Sequence, residues 1–141
     1  MKDEVFLDTG YVIALAVPRD LLHERAVDLA AQIEATGTRI VTTRAVTLEI
    51  GNALSRQRHR HAAAQLLNAL ETDPRVEIVP LSEQLFSWAF HLYCERHDKE
   101  WGLTDCISFI VMWERGITDA LTADRHFQQA GFRALLREGS L

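Results

Sequence analysis

The sequence predicts an α/β domain in which a parallel sheet of four to five strands is flanked by helices. Short apolar runs, such as residues 5–7 and 76–79, are typical of buried strands. Longer segments with apolar residues three and four positions apart alternate with these runs and indicate helices. Strands that alternate with helices form parallel sheets, because each connection must cross a face of the sheet. No repeat or linker divides the 141 residues, so we interpret 1–141 as one domain.

Each element is predicted from a local signal. The strands are predicted at residues 5–7, 39–42, 76–79 and 120–122, with a fifth at 132–135. The helices are predicted at residues 11–17, 21–36, 46–54, 62–70, 83–97 and 104–115. Asp20, Ser82 and Thr104 are expected to begin helices, while Gly37 and Gly116 are expected to end them. Trp88 and Trp113 lie among apolar core positions, which predicts that both are packed.

Composition excludes several classes of protein. The 48% hydrophobic and 25% charged residues are ordinary for a globular domain, and no apolar run approaches the ~18 residues of a membrane span. The acidic start of the chain is unlike a signal peptide, so we expect a cytoplasmic protein without membrane contact. Cys94 and Cys106 match no zinc pattern and are expected to be reduced thiols. A net charge of −5 argues against a nucleic-acid coat protein, but it is compatible with a nuclease that uses carboxylates.

Two acids follow predicted strands directly, and two lie on predicted helices. Asp8 comes after the first strand and Asp124 after the fourth, and ligands of parallel sheets bind at this carboxyl edge. Asp105 lies in the first turn of its helix, where it is either a capping residue or a site residue. Glu49 lies on the third helix, where a solvated position is the alternative.

Neighbouring positions extend the two helical candidates. Asn52 shares a helix face with Glu49, and Ser108 shares one with Asp105, because each pair is three residues apart.

Three or four carboxylates around one pocket repel each other unless a cation neutralises them. Oxygen ligands without cysteine or histidine select Mg²⁺ or Mn²⁺ over Zn²⁺. A metal held in this way activates water and stabilises charge on a phosphoryl group.

The order of these motifs resembles that of a known family. The segments concerned are 6–9, 49–54, 103–109, 120–127 and 129–132. With them the sequence resembles PIN-domain nucleases, and most closely the VapC-type toxins of bacterial toxin–antitoxin pairs. The resemblance implies a PIN-like, Rossmann-like three-layer fold. It also implies an endoribonuclease that hydrolyses RNA phosphodiesters with metal-activated water and leaves 5′-phosphate and 3′-hydroxyl ends.

The resemblance also implies site residues, a cofactor and partners. The catalytic and metal-binding acids would be Asp8, Glu49, Asp105 and Asp124, around one or two Mg²⁺ or Mn²⁺ ions. The supporting residues would be Thr9, Asn52, Thr122 and Ser108. The partners would be an RNA substrate, a cognate antitoxin protein and a second copy of the chain in a homodimer.

Other interpretations remain open beside this one. A PIN nuclease that processes RNA or cleaves single-stranded DNA would share these motifs, and an inactive PIN-like binding module would be expected to lack some of the acids. The tripeptide Asp8-Thr9-Gly10 also occurs in aspartic proteases, but that fold is almost entirely β-structure. The remaining candidates for contact with RNA or a partner protein are Arg56, Arg58, Arg60 and Trp101. For the arginines, a solvated basic turn is an equal alternative.

Overall fold

The computed structural model describes residues 3–138, and its centre is a sheet of parallel strands. The strands are β1 (Glu4–Leu7), β2 (Arg39–Thr43), β3 (Val76–Val79), β4 (Asp119–Leu121) and β5 (Arg133–Ala134). Their order across the sheet is β3-β2-β1-β4-β5, and every neighbouring pair is parallel. The predicted α/β class with a parallel sheet is therefore confirmed.

Helices connect the strands and cover the sheet. They are α1 (Thr9–Ala16), α2 (His23–Thr36), α3 (Arg44–Ala53), α4 (Gln57–Thr72), α5 (Glu83–Glu95), α6 (Leu103–Arg115) and α7 (Arg125–Gln129), and a 3₁₀ turn follows at Leu135–Arg137. The carboxyl ends of β1 and β4 are adjacent because Leu7 is paired with Leu121 in the sheet. The residues that follow these two strands are therefore brought to one edge.

Helix starts and ends show where local signals are reliable. Ser82 begins α5 as predicted, since its hydroxyl accepts a hydrogen bond from the Leu85 N–H at 3.1 Å. Gly116 ends α6 in the left-handed conformation, with a φ of 66°. Asp20 does not begin α2, because its carboxylate accepts the Leu22 N–H at 2.9 Å in a turn ahead of that helix. The predicted start of the second helix was therefore too early.

The core lies around β1, β4 and α6. Phe109 of α6 is fully buried and makes edge contacts with Phe127 and Trp101, with ring centroids 4.9 Å apart in both cases. Trp88 and Trp113 were predicted to be packed, but they are 46% and 44% exposed. Their helical spacing places them beside the core positions, yet no described element covers α5 and α6 on this side. No helix between residues 3 and 138 is long and apolar enough to cross a membrane.

Candidate active site

Asp8 is held at the carboxyl edge of the sheet by backbone and side-chain contacts to β4 and the loop after it. Its N–H donates to the Leu121 carbonyl at 3.3 Å, which continues the sheet pairing by one residue. The Thr122 hydroxyl donates to Asp8 Oδ2 at 2.7 Å and accepts the Asp124 N–H at 3.1 Å. Asp8 and Thr122 are both buried. Thr122 therefore connects two of the predicted acids in one hydrogen-bonded chain.

Glu49 reaches the same region from α3. Thr43 begins this helix, and its hydroxyl accepts the Val46 N–H at 3.2 Å. The buried Thr9 hydroxyl at the start of α1 donates to Glu49 Oε1 at 2.5 Å. Because Thr9 directly follows Asp8, this hydrogen bond places the exposed Glu49 carboxylate beside the first acid.

Asp105 and Asp124 meet at a histidine that the sequence did not single out. His126 Nδ1 lies 3.2 Å from Asp105 Oδ2 and 3.3 Å from Asp124 Oδ1. Asp105 Oδ2 also accepts the Gly102 N–H at 3.0 Å. Gly102 is the cap residue of α6, so the first residue of the helix is Leu103 and not Thr104. The predicted start of this helix was therefore one residue late. One ligand atom from each of Asp105, Asp124 and His126 lies within 4.8 Å of the others.

The electrostatics show that the carboxylates share one region. Burial raises the pKa of Asp8 from 3.8 to about 7, against the lowering effect of its hydrogen bond from Thr122. The charges of Asp105 and Glu49 raise this pKa further. Burial also raises the pKa of Asp105, and the charge of Asp124 adds to that shift. Four oxygen-bearing groups with mutual repulsion form a donor set that suits a hard divalent cation.

Two of the predicted supporting residues behave differently from each other. Asn52 is exposed and lines a cavity of about 290 Å³ together with Glu49 and Thr104. Ser108 is fully buried, and its hydroxyl donates to the Thr104 carbonyl at 3.1 Å within α6. The three-residue spacing predicted a shared face, but this side of α6 packs into the core. Among the described residues Ser108 makes no hydrogen bond to the four acids, and its supporting role stays a prediction.

The residues predicted to contact RNA or a partner protein differ in their exposure. Arg56, Arg58 and Arg60 are exposed and lie at the start of α4, which begins five residues earlier than predicted. Trp101 is only 4% exposed, and its Nε1 donates to Gln129 Oε1 at 2.9 Å. This indole has no free face for a base or a partner, so the predicted contact at Trp101 is wrong.

His126 is the site residue that sequence reasoning missed. It lies two residues after Asp124, inside the segment that carries the family resemblance. Histidine is common on protein surfaces, and α7 is only five residues long, so no periodicity pointed to its orientation. The signal that was available is the spacing, because a side chain two residues after a helix-capping acid can return to that acid.

The fold and the site define a class of protein, which comparison with known proteins identifies. The family model described as PIN domain matches residues 5–133, and the chain belongs to this family. Among its curated relatives are proteins named 23S rRNA-specific endonuclease VapC20 from two Mycobacterium tuberculosis strains, CDC 1551 / Oshkosh and H37Rv. Each is 35% identical over 132 residues, which cover 91% of this chain and 95% of the relative.

A solved structure agrees with this relationship. The crystal structure of M. tuberculosis VapC20, described as a sarcin-ricin loop cleaving toxin, superimposes with a TM-score of 0.79 at 25% sequence identity. The match covers 92% of this chain and 96% of the VapC20 chain. The family and the fold that the sequence motifs implied are both confirmed.

Proposed function

We propose that this protein is a metal-dependent endoribonuclease that acts as the toxin of a toxin–antitoxin pair. The observation that supports this most directly is the buried Asp8 carboxylate, whose pKa is raised by the charges of Asp105 and Glu49 and which is linked to Asp124 through Thr122. No lysine or arginine of the described residues forms an ion pair with any of these four acids. The relatives named VapC20 act on RNA, and their similarity extends over nearly the whole chain.

The four acids are the residues that would hold Mg²⁺ or Mn²⁺. A bound ion of this kind stabilises the charge of a phosphoryl group and lowers the pKa of water. The chain supplies the orientation of the ligands, because Thr122 fixes one oxygen of Asp8 and Thr9 fixes one oxygen of Glu49. Hydrolysis by water in line with the leaving oxygen would leave 5′-phosphate and 3′-hydroxyl ends.

The substrate we propose is RNA, and ribosomal RNA of the large subunit is the first candidate. This follows from the specificity in the name of the relatives, and it agrees with the cytoplasmic location that we propose. The positively charged segment after α3 suits an RNA backbone. No acid occurs between Glu49 and Glu71, whereas Arg56, Arg58 and Arg60 fall within five residues. We propose that these arginines contact phosphates next to the scissile bond.

The partners we propose are an antitoxin and a second copy of this chain. Large apolar side chains on α5 and α6 are 42–50% exposed: Phe86, Trp88, Phe90, Tyr93 and Trp113. This surplus supports a homodimer, since a monomer rarely leaves so many aromatic rings in water. The antitoxin would insert an arginine among the acids, because a guanidinium pairs with carboxylates through two hydrogen bonds.

A cleavage assay with the purified chain tests the nuclease function. Ribosomal RNA would be incubated with the protein in Mg²⁺, in Mn²⁺ and in excess EDTA, and new 5′-phosphate ends would be mapped. We expect cleavage at few positions with either metal and none in EDTA. The variant Asp105→Asn should remain folded by circular dichroism and lose cleavage. Full activity in EDTA or in the folded variant would contradict the proposal.

The same assay distinguishes the other candidates. Single-stranded DNA offered at equal concentration tests for a broader nuclease, which would cut both polymers at similar rates. A binding module would retain RNA or a partner protein without new ends under any metal condition. Expression in cells with and without the candidate antitoxin then tests the toxin role, since a toxin is expected to stop growth when it is expressed alone and to be neutralised by its antitoxin.

A further inference from the structure

We propose that His126 is a positioning residue that fixes Asp105 and Asp124 so that one oxygen of each remains directed to a cation. This rests on the proposed function, because it assumes a divalent ion among the acids. It differs from that function in assigning a task to a residue outside the four carboxylates. The task is to hold ligands from two separate elements in one arrangement.

The hydrogen bonds divide each carboxylate into a fixed oxygen and a free one. Asp105 Oδ2 accepts hydrogen bonds from Gly102 N and from His126 Nδ1. Asp124 Oδ1 accepts the backbone N–H of His126 at 2.9 Å and lies 3.3 Å from the same Nδ1. Within residues 3–138, Asp105 Oδ1 and Asp124 Oδ2 accept no hydrogen bond. These two oxygens remain available as ligands.

The position of His126 is itself fixed by the fold. Its neighbour Phe127 is fully buried and packs against Phe109 of α6 and Phe6 of β1, with ring centroids 4.9 and 6.3 Å apart. This packing anchors the short α7 between the sheet and α6. The side chain of His126 is only 29% exposed, so its imidazole is constrained on most sides. The histidine is therefore a rigid connection between Asp105 on α6 and Asp124 before α7.

The arrangement requires a proton on Nδ1, and the neutral form of histidine can provide it. When Asp105 and Asp124 are ionised, as they would be in holding a cation, their oxygens only accept hydrogen bonds, so Nδ1 is then the donor. A direct metal bond through Nδ1 would require the proton to be on Nε2 instead. These two roles exclude each other at the same atom. They also have different spectroscopic signatures, because only a direct ligand places a nitrogen next to the ion.

Replacing a positioning residue such as His126 weakens a metal site without removing a ligand. Groups that hold ligand residues in orientation contribute 10–100-fold to metal affinity or activity in other proteins. Without the imidazole, Asp105 and Asp124 would each keep only a backbone N–H, and the repulsion between their charges would no longer be opposed by Nδ1. We expect the dissociation constant for Mn²⁺ to rise by about 10-fold to 100-fold. The fold should persist, because Phe127 rather than His126 supplies the core contacts of α7.

The experiment compares two variants of nearly equal shape. His126→Asn keeps a side-chain N–H close to the position of Nδ1, whereas His126→Leu has a similar outline and no donor. His91→Leu removes an exposed imidazole on α5 that pairs only with Glu95, and it serves as the control. Binding of Mn²⁺ to each full chain, without RNA, would be titrated by electron paramagnetic resonance. Circular dichroism and thermal unfolding would establish that each variant is folded.

We expect the Leu variant to bind at least 10-fold more weakly, with the Asn variant and the His91→Leu control close to wild type. Equal or tighter binding by the Leu variant would overturn the proposal. A nitrogen coupling in the spin-echo spectrum of the wild-type Mn²⁺ complex would also overturn it, since His126 would then be a ligand. A wild-type chain that binds no Mn²⁺ would contradict both the proposed metal dependence and the positioning role of His126.

Discussion

Two buried aspartates, at opposite ends of the parallel strands, differ in the charge of the side chain that contacts them. Asp119 begins β4, is fully buried, and lies 3.3 Å from the guanidinium of Arg133. Asp8 follows β1 at the other edge, where its side-chain hydrogen bond comes from the neutral Thr122 hydroxyl. A buried charge normally requires a partner of opposite sign. The chain supplies that partner for Asp119, and we propose that an external cation supplies it for Asp8.

The comparison first predicts a large difference in activity between two matched variants. Asp8→Asn keeps the size of the side chain and removes the charge, so RNA cleavage should fall roughly 10³-fold. Asp119→Asn makes the same chemical change at the other edge and should leave the rate per folded molecule unchanged. Both rates would be measured in saturating Mg²⁺, with the folded fraction determined by circular dichroism. Similar losses in the two variants would remove the functional distinction.

The second prediction concerns stability and pH in the metal-free protein. The pKa of Asp8 is about 7 when folded and near 3.8 when unfolded, so the folded chain holds the proton more tightly. Its free energy of unfolding should therefore decrease as pH rises from about 4 to 7, by up to ~1.4 kcal/mol per pH unit from this group. Asp8→Asn should lack this component and exceed wild type by a few kcal/mol at pH 8.

Urea unfolding in EDTA at pH 4.5, 6 and 8 would measure the difference between Asp8→Asn and wild type. The difference should widen with pH and shrink again when Mn²⁺ is added to the wild-type protein. The Asp119→Asn variant is the control for loss of a buried carboxylate at the other edge. A constant difference between Asp8→Asn and wild type at all three pH values would show that Asp8 is not protonated in the folded state.

The third prediction concerns Asp119, the buried aspartate that has an arginine partner. Arg133→Ala removes the cation beside Asp119, whose other oxygen already has no hydrogen-bond partner in the described part of the chain. We expect a loss of about 2 kcal/mol in unfolding free energy, because a buried charge is left with less compensation. Arg75→Ala breaks an ion pair with the exposed Glu34 and should change stability little. Equal effects of the two variants would indicate that Asp119 does not depend on Arg133.

The smallest effect is expected at the basic segment after α3, which contains Arg56, Arg58 and Arg60. Arg58→Ala should weaken RNA binding a few-fold and reduce the salt dependence by about 0.7 in the slope of log K against log salt, if it contacts one phosphate. Arg39→Ala, at the start of β2 and hence at the opposite edge of the sheet, should leave the slope unchanged. Fluorescence anisotropy with a catalytically inactive Asp105→Asn background would measure both slopes. An unchanged slope for Arg58→Ala would favour a solvated or partner-binding role.

The sequence predicted what depends on local chemistry or on strand order. Strand β3 was predicted residue for residue, and the placement of Asp8 and Asp124 at one edge followed from the parallel sheet. The start of α4 was missed, because its first residues are glutamine, arginine and histidine and carry no apolar periodicity. Trp101 and Trp113 were assigned to the wrong environment, since burial depends on which elements happen to cover a helix. His126 was missed because its contact with Asp105 depends on how α7 packs against α6, and the short spacing to Asp124 alone does not show it.

The hydrogen bond between Thr122 and Asp8 joins residues 114 positions apart in the chain. Strand β1 is therefore synthesised long before its neighbour β4 and before Asp124, the acid that follows β4. A nascent chain in which β4 and Asp124 have not yet left the ribosome has no complete site, whatever the rest has folded into. If the substrate is ribosomal RNA, the ribosome is then exposed to the folded enzyme but not to a nascent chain whose site is incomplete.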